Sequence, residues 1–252
     1  MASFVRYRFT IGLILVLALM AGCADSEGGR EQVRVSAASS LTVPFAEIES
    51  LFEEMHPDYD LVLNLGASSL LREQILAGAP ADAFASANES IMDEVAADGL
   101  VVGEVLVFTL NTLEIAVPRG NPGAVTGLED FARDDLLLGI CAAGVPCGDL
   151  ARASLGLAGV TLAPHSDESN ARSLLTKTAA GELDAGIVYV SDVQGNADVE
   201  GVAIPAGLNQ ETRYPVAALS GGSSPEGAAA FIEFLLSEEG QAILLSHGFQ
   251  RP

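Results

Sequence analysis

The stretch Gly66-Ala67-Ser68-Ser69-Leu70-Leu71-Arg72-Glu73-Gln74-Ile75-Leu76-Ala77-Gly78-Ala79-Pro80-Ala81-Asp82 carries the most information in this chain. Leu70, Leu71, Gln74 and Ile75 recur at helical spacing, and Gly78-Ala79-Pro80 stops the helix. Ala81-Asp82-Ala83-Phe84 then reads as a strand. Two hydroxyls, Ser68 and Ser69, lie at the helix start, beside backbone N–H groups that have no partner within the helix. That arrangement suits an anion. The plainer reading is a capped surface helix.

A second copy upstream favours the anion site. In Val33–Pro57, Val33 and Val35 alternate as in a strand and Ser39-Ser40 close a turn. Leu41, Phe45, Ile48, Leu51 and Phe52 follow at helical intervals. Neither serine turn contains a Lys or Arg; Arg34 and Arg72 flank them. Two strand–serine–helix units aimed at one spot would make an oxyanion cradle.

The amino-terminal residues address the protein to the cell exterior. Arg6 and Arg8 form a basic head, Ile11–Met20 is an apolar run of ten residues, and Met20-Ala21-Gly22-Cys23 resembles a lipobox. The run is too short to span a bilayer comfortably. Residues 1–22 are therefore expected to be a signal peptide, with lipid on Cys23 and residues 23–32 as a polar tether. The protein is then expected to be exported and held at the outer face of the cell membrane, or periplasmic.

The formal charge is −22, and loss of residues 1–22 removes two arginines and no acid, giving −24. Such a surface excludes nucleic acid as a partner. It does not exclude a small anion, because charges beyond the Debye length of roughly 8 Å are screened and local N–H and O–H dipoles decide. With Cys23 lipidated, Cys141 and Cys147 remain. Oxidising surroundings point to a disulfide across Cys-Ala-Ala-Gly-Val-Pro-Cys, the alternative being two buried thiols. The three histidines, His56, His165 and His247, have no ligand spacing, so no metal site is expected.

Strand and helix alternate through the rest of the chain. Residues 105–122 are long, apolar and β-rich. A short helix is expected near 128–131, strands at 136–141, 160–162, 202–204 and ending at Tyr189, a further β segment at 212–219, and a closing helix pair. Repeated β–α units predict mostly parallel sheets flanked by helices, with ligands at the carboxyl ends of the strands. Segments 105–122 and 212–219 read as crossings between two lobes. The chain has no Gly-x-Ser-x-Gly elbow, and its single lysine, Lys177, is not in a Walker A loop, so no enzyme is expected. His165-Ser166-Asp167 has triad residue types, but consecutive positions do not make triad geometry.

In order, AASSLT, GASSLLREQILAGAPADAFASA, GVPCGDLA, ESNAR, GIVYVSD, YPVAAL and FIEFLLSEEGQAILLSHGF resemble the molybdate-binding lipoproteins and periplasmic proteins of ABC importers, over about residues 33–250. The resemblance implies an α/β, two-lobed type II periplasmic binding protein fold. Lobe 1 would comprise 33–110 and 215–252, and lobe 2 would comprise 111–214. It implies a monomer that captures molybdate, and tungstate with it, and delivers it to a permease and its ATPase, without a cofactor. The implied oxyanion contacts are the side chains of Ser40, Ser68 and Tyr189 and the main-chain N–H groups of Cys147 and Ala171. Sulfate or phosphate is the alternative ligand. Phosphate would benefit from an acceptor carboxylate, for which Asp82 and Asp167 stay open. Plainer roles are helix caps for the serines, a core aromatic for Tyr189, and surface charges for Arg172 and Arg213.

Overall fold

The computed structural model describes residues 29–161 and 165–252. The expected signal peptide, Cys23 and most of the tether lie outside the described residues. The chain opens with β1 (Glu31–Ala38), whose second half is buried, and a 3-10 turn at Ser39–Leu41 that leads into α1 (Thr42–Met55). Of the apolar positions picked out by spacing, α1 buries Phe45, Ile48 and Phe52, together with Pro44, and leaves Leu51 half-buried. β2 (Tyr59–Gly66) runs to α2 (Ser68–Leu76), and β3 (Ala83–Ala85) to α3 (Glu89–Ala97), which Asn88 caps through the N–H of Ile91.

β4 (Val101–Pro118) is eighteen residues long, at most about 60 Å of strand. Its ladder slips between Val102 and Leu106. Gly103, at φ 75°, supplies the left-handed conformation within that irregular segment. A 3-10 turn (Leu128–Ala132) precedes β5 (Leu138–Cys141), α4 (Pro146–Leu157), β6 (Ser166–Glu168), α5 (Ala171–Ala179) and β7 (Ala185–Tyr189). The short α6 (Val190–Val193), β8 (Val199–Ala203) and β9 (Glu211–Leu219) follow, and α7 (Pro225–Leu236) and α8 (Glu238–Ser246) close the chain.

The strands form one mixed sheet in the order β2-β1-β3-β9-β4-β7-β5-β6, with β8 beside β4. Parallel pairs sit towards its two ends, β1 with β2 and β3, and β5 with β6 and β7. The middle is antiparallel, because β4 and β9 run against each other and against their outer neighbours. This corrects the mostly parallel expectation. Helical crossovers favour parallel pairing, but β9 arrives from β8 without a helix and inserts antiparallel between β3 and β4.

Two further expectations shift. Val160 and Thr161 are not strand, and the segment pairing with β5 is the polar Ser166–Glu168. An edge position needs only one partner, so apolarity is a poor guide there. The strand expected at 202–204 runs instead from Val199 to Ala203.

One apolar cluster packs α1, α7 and α8 on β1, β3 and β9; another packs α4 and α5 on β5, β7 and the last part of β4. Up to Thr112, β4 pairs with β9, and from Leu113 onward it pairs with β7 and β8. No helix among the described residues is long and apolar enough to cross a membrane.

Candidate oxyanion site

Ser40, Ser68, Cys147, Ala171 and Tyr189 all line a single narrow cavity. Their side chains or backbone come from opposite ends of the sheet, and each is buried, the most exposed being Ser40 at 6%. The position of each follows from its element. Ser40 lies in the 3-10 turn at the end of β1, and Ser68 is the first residue of α2, directly after β2. Cys147 is the second residue of α4, Ala171 the first of α5, and Tyr189 the last of β7. Strand ends and helix starts therefore converge on one point, as expected for this class of sheet.

The first N–H groups of α2, α4 and α5 have no partners within their helices. Each helix start also carries a partial positive charge of roughly half a unit. The lining includes no Lys, Arg, Asp or Glu. What faces the cavity is neutral and rich in donors.

The two serine hydroxyls are held from behind. Ser68 Oγ accepts the N–H of Ala87 at 3.0 Å, which leaves its own proton free to donate. Ala87 is fixed in turn, since Thr212 Oγ1 donates to its carbonyl at 2.6 Å. Ser40 Oγ lies 2.9 Å from Tyr214 Oη, and either hydroxyl can be the donor. Ser68 is not a cap, because Ala67 occupies that position and no side chain caps α2. Ser69 likewise lies within the helix, is not its cap, and does not line the cavity.

Tyr189 Oη is buried and makes no hydrogen bond among the described residues. Its ring meets Tyr214 edge-on at 6.0 Å; the Tyr214 hydroxyl acts on it electrostatically without a well-formed bond. Burial, then the neighbouring Tyr214 and Asp192, push its pKa far above that of an ordinary tyrosine. Tyr189 therefore keeps its proton, and a buried hydroxyl without an acceptor is costly unless a ligand supplies one.

The start of α4 is pinned to the end of β5 in two ways. Cys141 and Cys147 form a disulfide, with Cα atoms 5.7 Å apart. Gly148 sits so close to that strand that a Cβ would come within 2.3 Å of the Cys141 carbonyl oxygen. Only glycine lets the backbone approach this far.

A wider hollow shares Ser40 with the cavity and is lined by Arg172, Asp192 and His247. Asp192 accepts the N–H of Tyr189 at 3.1 Å. Burial pushes its pKa up to about 6, against the opposing effects of that bond and of Arg172. The carboxylates left open for a protonated ligand lie elsewhere. Asp82 accepts the backbone N–H groups of Arg34, Ser223 and Ser224, and Asp167 pairs with Arg152 at 2.8 Å. Arg213 pairs with Glu89 at 3.1 Å on the surface. Ser166 bonds Glu168 and forms no triad with His165 and Asp167.

Sequence reasoning missed Tyr214, Thr212 and Ala87. Thr212 and Tyr214 stand two apart on β9, hence on one face, but nothing local shows that this face backs the serines.

The profile of the bacterial extracellular solute-binding proteins matches residues 33–250. The molybdate-binding protein ModA of Mycobacterium tuberculosis is 35% identical over 225 residues, 89% of this chain and 86% of that relative. The periplasmic molybdate-binding protein of Azotobacter vinelandii superposes with a TM-score of 0.74 at 19% identity, covering 87% of this chain and 99% of that one. The sulfate-binding protein SubI of Mycobacterium tuberculosis superposes with a TM-score of 0.75 at 16% identity, covering 88% and 87%. At these identities the two superpositions show the fold, that of periplasmic binding proteins, and not the anion.

Proposed function

The chain belongs to the bacterial extracellular solute-binding protein family, and from that membership we propose that it captures molybdate, and tungstate with it, for an ABC importer. It is a binding protein rather than an enzyme. The observation that carries the reading is a cavity rich in donors and free of charged side chains. Molybdate near neutral pH has four acceptor oxygens and no proton to give, so its site should present donors alone. The orphaned hydroxyl of Tyr189, the free proton of Ser68 and the N–H groups at Cys147 and Ala171 meet that demand. The 35% identical relative named for molybdate supports the choice of anion over the fold-level likeness to a sulfate binder.

Charge-assisted hydrogen bonds contribute about 1.5–3 kcal/mol each. Five to seven of them, less ordering and closure, support roughly −8 to −12 kcal/mol, micromolar to nanomolar affinity. The donors come from both ends of the sheet, so an anion bridging them would draw two lobes together about β4 and β9. The closed form is then what a permease and its ATPase recognise. A signal peptide over 1–22 would export the chain, and a lipid on Cys23 would hold the monomer at the outer face of the membrane.

Titration calorimetry with molybdate, tungstate, sulfate and phosphate tests the reading. Molybdate and tungstate should bind at least a hundredfold more tightly than the other two. Equal affinity for sulfate or phosphate would remove the assignment.

A further inference from the structure

Ser40 poses a question of proton direction. A fully deprotonated oxyanion only accepts, so Ser40 serves it only when its single proton points into the cavity. The described partner of Ser40 Oγ is Tyr214 Oη at 2.9 Å. If Ser40 donated to Tyr214, the cavity would lose a donor and gain lone pairs facing an anion.

Tyr214 is built to donate. It is wholly buried on β9, packed edge-on against Phe249 at 5.4 Å and Phe108 at 6.3 Å. Its ring is therefore fixed by packing, independently of any ligand. Burial holds its pKa well above the ordinary tyrosine value, so the phenol remains protonated in any working medium. Two residues earlier on the same strand face, Thr212 donates to the carbonyl of Ala87, the residue whose N–H donates to Ser68. One strand thus backs both serines.

We propose that Tyr214 is a positioning residue for the oxyanion: its O–H donates to Ser40 Oγ and so commits the Ser40 proton to the cavity. The proposal rests on the reading of the cavity as an oxyanion site. Tyr214 does not line the cavity; its hydrogen-bonded route to the ligand is Ser40, and its ring also meets that of Tyr189 at 6.0 Å.

The test is a double-mutant cycle on molybdate affinity with Ser40→Ala, Tyr214→Phe and the pair, each checked by melting without ligand. Ser40→Ala should weaken binding at least tenfold and Tyr214→Phe about tenfold. The double variant should bind no more weakly than Ser40→Ala, since without the serine there is no proton to direct. Wild-type affinity in Tyr214→Phe, or losses that multiply in the pair, would overturn the proposal. If the wild type did not bind molybdate, or Ser40→Ala bound it unchanged, the oxyanion reading itself would fall, and this proposal with it. Should Tyr214→Phe not fold, tyrosine labelled at Cζ with carbon-13 gives a second measurement on the wild type. Of the four tyrosines, molybdate should move the resonances of two, Tyr189 and Tyr214. Movement of only one would overturn the proposal.

Discussion

Ser68 faces two ways, and a substitution there has two consequences. Its oxygen accepts the N–H of Ala87 and its proton is left free to donate. Ser68→Ala should weaken molybdate binding at least tenfold, read by calorimetry. It should also cost about 1 kcal/mol of stability without ligand, because the Ala87 N–H loses its acceptor; thermal melting checks this. Unchanged affinity would reduce Ser68 to a prop for Ala87.

Asp192 gives a prediction in pH. Its pKa is raised from 3.8 to about 6 in the folded protein, first by burial. The unfolded chain releases this proton more easily, so the group favours the native state below about pH 4. That contribution falls away as pH rises through 6. Asp192→Asn keeps an oxygen to accept the Tyr189 N–H and removes the charge. Its urea midpoint should change less than the wild type's between pH 4 and 6.5. At pH 7 it should be the more stable of the two, by up to about 3 kcal/mol. Parallel profiles would show that Asp192 does not carry the effect.

At the scale of elements, the start of α4 shows how a helix terminus is held against the cavity. The disulfide and the close approach of Gly148 hold the Cys147 N–H at the cavity wall. Gly148→Ala would push the helix off the carbonyl oxygens of Cys141 and Ala142, and affinity should fall more than tenfold. Replacing both Cys141 and Cys147 by Ser should cost about 2 kcal/mol on the chain-entropy estimate for so short a loop, seen as a lower urea midpoint. It should also weaken binding. If binding survived both changes unaltered, the α4 start would not be a contact.

Elements with a strong apolar period were legible. Phe45, Ile48 and Phe52 mark α1 because burial on one face demands that spacing. The short β6 was not legible, since an edge strand of Ser166, Asp167 and Glu168 carries no apolar signature. The antiparallel centre was equally hidden, because strand direction depends on which partner is met rather than on the strand's own residues.

For the whole molecule, the consequence of a site fed from both ends of the sheet is that ligand and fold are thermodynamically linked. An anion that binds only the native state stabilises it by about 2.7 kcal/mol at a hundred times its dissociation constant. Molybdate should therefore raise the melting temperature by several degrees, and sulfate at the same concentration should not. Small-angle X-ray scattering should show a smaller radius of gyration with molybdate; no change would argue against lobe closure.

The sequence by itself determined the two strand–serine–helix units and the strand that ends at Tyr189, because turn residues and apolar periodicity are local signals, whereas Cys147 and Ala171 were pointed to only by the family resemblance. It also determined that two cysteines six apart could be joined. Only the tertiary structure decided that these elements share one cavity, that Ser68 is not a cap, and that Tyr214 stands behind Ser40. The two hydroxyls of that pair are 174 positions apart along the chain. Their meeting depends on β9 returning antiparallel beside β3 and β4, a pairing set by the packing of the whole sheet and by nothing near either residue.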